Sequence, residues 1–138
     1  KWNSRCCRSS TNYRIGWQGG TTYAVLADAA SGAYFRFNTN SAGSSEWQFL
    51  VKNGSTVVTN NMGYPDTVSF HTLRMFNDTG LTNVVRAQID SGTIVSVTNG
   101  LGSSPLAPQI SAHSLGGTGS APQLWIDYYD LYISGIAR

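Results

Sequence analysis

The chain has 138 residues, enough for one domain built around one core. Its charged fraction of 12% is about half the usual share, and Gly, Ser, Thr and Asn are plentiful, which excludes a helical protein rich in Ala, Leu, Glu and Lys. A net charge of +2 makes no dense basic patch, so nucleic acid is excluded as the partner; no apolar run is long enough to span a membrane as a helix.

Lys1–Ser9 and Asn12–Gln18 read as short strands joined by a Ser-Ser-Thr-Asn turn. Lys1, Arg5, Arg8, Arg14 and Arg36 hold five of the nine basic residues and are expected on a solvated strand face. Cys6 and Cys7 are adjacent, point to opposite faces of a strand, and are expected to be free thiols. Ala24–Ala30 suits a helix but is too short to be more than a turn. Ala33–Asn38 is a strand with Phe35 and Phe37 on one face and Tyr34 and Arg36 on the other. Glu46–Lys52 places Trp47, Phe49 and Val51 together, and Asn53-Gly54 then turns the chain into the return strand Ser55–Asn60.

Met62–Asp66 reads as a loop. Val68–Phe76 is a strand with His71, Leu73 and Met75 on one side; Val84–Asp90 follows with Val85, Ala87 and Ile89 inward, then Thr93–Thr98. Asn99–Gln123 is a Gly-, Ser- and Pro-rich stretch with one strand near Gln109–His113. Leu124–Ile133 carries four aromatics and is apolar on both faces, the pattern of a central strand covered on both sides. About nine strands without a credible helix predict an all-β, antiparallel two-sheet sandwich.

Several segments carry a family resemblance: Arg14-Ile-Gly-Trp17, Gly32-Ala-Tyr-Phe-Arg-Phe37, Trp47 with the Asn53-Gly54 hairpin, Phe70-His-Thr-Leu-Arg74, Ala87-Gln-Ile-Asp90 and Leu124-Trp-Ile-Asp-Tyr128. In that order they resemble the concanavalin A-like lectin/glucanase jelly roll, in the form found in bacteriophage structural proteins. The family usually has Trp where this chain has Phe70. The resemblance implies a jelly roll lacking its first one or two strands, the C-terminal part of a longer chain with residues 1–138 as one domain. It also implies a virion location, as a head decoration, fibre, spike or tail-associated module. The expected partners are further copies of the chain, a trimer foremost, and other virion proteins, with host polysaccharide as a contact. The alternative is an extracellular lectin or carbohydrate-binding module of a larger secreted protein.

Enzyme chemistry is not expected. Glycoside hydrolysis needs two carboxylates across the scissile bond. The one glutamate, Glu46, has Asp28 and Asp66 as its nearest acidic neighbours, and Asp127 and Asp130 fall on opposite faces of a regular strand. Ala112-His-Ser-Leu-Gly-Gly117 resembles a lipase elbow around Ser114, but its Gly-rich continuation cannot be the required helix, no His follows, and a loop is expected. His71 and His113 lack metal-ligand spacing, the scattered acids form no calcium cluster, and no cofactor is expected; one calcium on loop carbonyls with Asp90 or Asp66 stays open. The sequons Asn53-Gly-Ser55 and Asn77-Asp-Thr79 mark exposed turns. Asp127, between Trp125-Ile126 and Tyr128-Tyr129, is expected to be a buried structural acid. Trp17, Tyr23, Tyr34, Tyr64 and Trp125 are the candidates for stacking on sugar rings, against the plainer reading of core or interface.

Overall fold

Strand forms where apolar and polar residues alternate, and this pattern dominates the computed structural model. It describes residues 2–3, 11–19, 29–38, 46–65, 70–77, 84–98, 101, 105–114, 125–126 and 130, with no helix among them. The strands are β1 (Trp2–Asn3), β2 (Thr11–Gly19), β3 (Ser31–Asn38), β4 (Glu46–Asn53), β5 (Thr56–Pro65), β6 (Phe70–His71), β7 (Leu73–Phe76), β8 (Val85–Ile89), β9 (Val95–Val97), β10 (Ala107–Ser114) and β11 (Trp125–Ile126). Five form one antiparallel sheet, ordered β10-β2-β3-β4-β5; β7-β8-β9 form a second; β11-β1-β6 form a small third. Only Thr72 separates β6 from β7.

The core lies between the five-stranded sheet and β7-β8-β9. Tyr13, Ile15, Phe35, Phe37, Trp47, Phe49 and Val51 of the first cluster with Val85, Ala87, Ile89 and Val97 of the second. These residues follow the expected period of two, and Val85, Ala87 and Ile89 are buried as read. Phe35 meets Phe49, and Phe37 meets Trp47, with ring centroids 5.5 Å apart in each pair. An antiparallel β-sandwich is the result, as the strand pattern predicts.

Three expectations change. The Met62–Asp66 loop is mostly strand, because β5 runs to Pro65 through a bulge. Gly63 takes a φ of 71°, and its N–H donates to Glu46 Oε2 at 3.2 Å, so the glycine bends the strand without ending it. Ser114 ends β10, paired with Thr11, and is not in a loop. Of the Leu124–Ile133 segment, expected as a covered central strand, the structure describes Trp125, Ile126 and Asp130; among the described residues β11 stands at the end of its sheet, and Ile126 is 44% exposed. Two-sided apolar composition reports residue type, not how many neighbours the strand receives. Asp130 is exposed, and the rest of that segment lies outside the described residues.

Among the described residues, β1 sits between β11 and β6, and β2 between β10 and β3. The outer strands of the large sheet are β10 and β5, and each carries a proline, Pro108 and Pro65. Proline has no N–H to give, and an outer strand is where a sheet tolerates it.

Candidate functional site

Most of the proposed sugar-stacking aromatics do not come together. Trp17 in β2 is half-buried, paired across the ladder with Pro108 and Ala33. Tyr34 in β3 is fully buried, so no ring face is open to a sugar; its register puts it between Gly16 and Leu50 on a withdrawn face. Tyr64 in β5 is half-buried. Trp17 and Tyr64 stand on strands three spacings apart, about 14 Å, too far for one ring to span. Tyr23 and Asp127 lie outside the described residues; so does the side chain of Trp125, whose backbone pairs with Asn3.

Among the described residues, a polar cluster gathers around Asp90, which the sequence offers only as a loop acid. Asp90 closes β8 with a φ of 51°, a left-handed conformation that Asp and Asn tolerate better than most residues. Its N–H donates to the Thr72 carbonyl at 2.8 Å, and the Thr72 N–H donates to Asp90 Oδ1 at 2.7 Å. Asp90 Oδ2 lies 2.8 Å from His71 Nδ1. Tyr64, aimed here by the β5 bulge, meets the His71 ring edge-on at 5.8 Å. A Cβ at Gly92 would collide with the Tyr64 hydroxyl, so a larger residue there would push the Tyr64 ring aside. The cluster joins β5, the β6–β7 break and the β8–β9 turn.

A carboxylate on Nδ1 orients an imidazole as a base is oriented in hydrolases. Here His71 is 8% exposed, and the pair ties the β6–β7 break to the β8–β9 turn. No signal in the sequence links His71 to Asp90, because they are 19 residues apart on different strands.

Burial pushes the Asp90 carboxyl up, but the Thr72 N–H, the His71 hydrogen bond and the His71 charge outweigh it and hold the group below its ordinary value. A carboxyl lowered on folding adds stability that is full above its unfolded pKa and is lost as pH falls through the folded one. Asp90→Asn keeps the tolerance for left-handed backbone and removes the charge. Because the carboxylate is 37% exposed and partly screened by water, the substitution is expected to cost about 1 kcal/mol at neutral pH, with the gap to wild type closing below about pH 4. Urea unfolding of both proteins between pH 3 and 7 checks this; a gap that stays constant to pH 3 would refute it.

A second polar arrangement crosses the five-stranded sheet on the face away from the core. Ser111, Arg14, Arg36, Gln48 and Asn61 lie in one cross-strand rung from β10 to β5. Arg36 Nε and Nη2 both donate to Gln48 Oε1, at 3.2 and 2.8 Å, and Gln48 Nε2 donates to Asn61 Oδ1 at 3.0 Å. Arg14 is not on a solvated face as expected: it is 5% exposed, alongside Asn12 at 1% and Gln18 at 5%. Alternation puts it on the face opposite Tyr13 and Ile15, and that face is withdrawn from water as well.

No group of three or more His, Cys, Asp or Glu side chains suited to a metal occurs among the described residues. Compared with protein-family models, curated proteins and solved structures, the chain matches none.

Proposed function

We propose that this chain is a non-enzymatic structural module of a virion, of the head decoration, fibre, spike or tail-associated kind, with host surface glycans as a secondary contact. The supporting observation is the placement of the resembling segments. Arg14–Trp17 lies in β2, Gly32–Phe37 in β3, Trp47 and the Asn53-Gly54 turn in and after β4, Phe70–Arg74 in β6 and β7, and Ala87–Asp90 in and after β8. Five of the six segments thus form or flank strands of an antiparallel β-sandwich, the fold class that the resemblance implies.

Assembly is part of the proposal. Phe70, Ile94, Ile110 and Ile126 are between 39% and 49% exposed, apolar area that contact with a neighbour would remove from water. The purified chain is expected to sediment as a trimer of the 14.9 kDa protomer and to co-purify with capsids or tails from lysates of producing cells. A protomer-sized species at every concentration, absent from purified particles, would sink the reading. An array of surface glycans separates it from the lectin alternative, in which isolated protomers bind sugar without any particle.

A further inference from the structure

We propose that the outer face of the β7-β8-β9 sheet is a docking surface for an acidic polysaccharide, with Arg74 holding a sugar carboxylate. This specifies the glycan contact proposed above and rests on it for the class of partner. Leu73, Met75, Val85, Ala87 and Ile89 of this sheet point into the core, so alternation sends the residues between them outward. The outward side chains stand in two cross-strand rungs, Arg74 with Gln88, and Phe76 with Arg86 and Ser96. Neither rung holds an acid, and Arg86 is diagonal to Arg74, so two positive charges share one small surface. Asp90, further along β8, is turned to the Thr72 N–H and His71. The face is open to water: Arg74 and Ser96 are exposed, and Phe76, Arg86 and Gln88 are half-buried.

Arg74 is held ready for an anion. Its Nη1 donates to Gln88 Oε1 at 3.3 Å, and Gln88 Nε2 donates in turn to the Gly92 carbonyl at 2.9 Å. The guanidinium carbon lies 5.9 Å from the centre of the Phe76 ring. In Arg36 the Nε and Nη2 edge is engaged by Gln48. In Arg74 that edge has no partner among the described residues and belongs to an exposed side chain. Its two N–H groups point the same way and match the two oxygens of a carboxylate. A cation already held by two contacts loses less freedom on binding than a loose one. A sheet face also favours sugar over peptide. Its backbone groups are engaged within the ladder, so the N–H and C=O groups of a peptide would find no partners there. A pyranose brings an apolar C–H face for the Phe76 ring and hydroxyls that Ser96 and water can share.

Binding of the whole chain to polygalacturonate, at an ionic strength of about 0.15 M to screen loose attraction, tests the surface. The chain is expected to bind polygalacturonate and not neutral dextran. Arg74→Gln should weaken binding about 10-fold, and Arg74→Lys, which keeps the charge but loses the paired prongs, should not restore it. Arg74 is exposed, so neither variant opens the core. Lys52→Gln removes the same charge from the five-stranded sheet and should leave binding nearly unchanged. No binding of polygalacturonate, an equal loss in Lys52→Gln, full binding by Arg74→Lys, or equal binding of polyglutamate would each overturn the proposal. The virion reading fails separately: a chain absent from particles that still binds polygalacturonate through Arg74 keeps the docking surface and loses that reading.

Discussion

Trp47→Ala is expected to destabilise the protein by about 4 kcal/mol. Trp47 is 1% exposed, belongs to the core cluster, and packs on Phe37 with ring centroids 5.5 Å apart. Truncation leaves a cavity that a sheet locked on both sides cannot collapse to fill: β4 pairs with β3 and β5 along most of its length. Such a loss is a large fraction of the total stability of an ordinary domain. Trp47→Phe should cost far less, about 1 kcal/mol. The indole Nε1 is buried with no hydrogen-bond partner among the described residues, so phenylalanine keeps a packed ring and removes a mismatched donor. Equilibrium urea unfolding of both variants checks the pair, and equal losses would show that the cavity is not the cause.

Gly32→Ala is expected to cost about 3 kcal/mol. Gly32 has a φ of 146° in β3, where L side chains are strained. A Cβ there would run into the Trp17 carbonyl oxygen and come within 3.0 Å of Gln18 Cα. Both obstacles are backbone of the paired strand β2, held by the ladder, so nothing can rotate away. Gly54→Ala is the contrast. Gly54 also has a positive φ, 59°, but a Cβ there would meet nothing within 4 Å, and the expected cost is about 1 kcal/mol of backbone strain alone. Thermal denaturation of both variants measures the difference; similar melting temperatures would mean that β2 and β3 can separate at Gly32.

What the sequence showed was decided by its local patterns. The alternation of Trp47, Phe49 and Val51, the Asn53-Gly54 turn, and the inward Val85, Ala87 and Ile89 all depend on neighbours within a few residues, and they stand where the pattern puts them. The errors arose where distant parts of the chain decide. Gly63 reads as a loop residue until Glu46 is seen to accept its N–H. Arg14 reads as wet until its face is seen to be withdrawn. Ile126 reads as covered, yet among the described residues its strand has one neighbour. The polar groups that give the molecule its chemistry behave likewise: His71 with Asp90, and Arg36 with Gln48, are joined by ladder register rather than by sequence spacing.

The prolines on the two outer strands of the large sheet bear on how copies of this domain meet when crowded together. A bare strand edge recruits another strand and exposes a new edge each time, so growth along it has no natural end. Here each margin carries a residue with no N–H to give, Pro108 near the start of β10 and Pro65 at the end of β5. Edge-to-edge pairing is weakened at those ends, whereas contacts through side chains saturate once the complementary surfaces are occupied. That balance favours closed contacts over open-ended fibres.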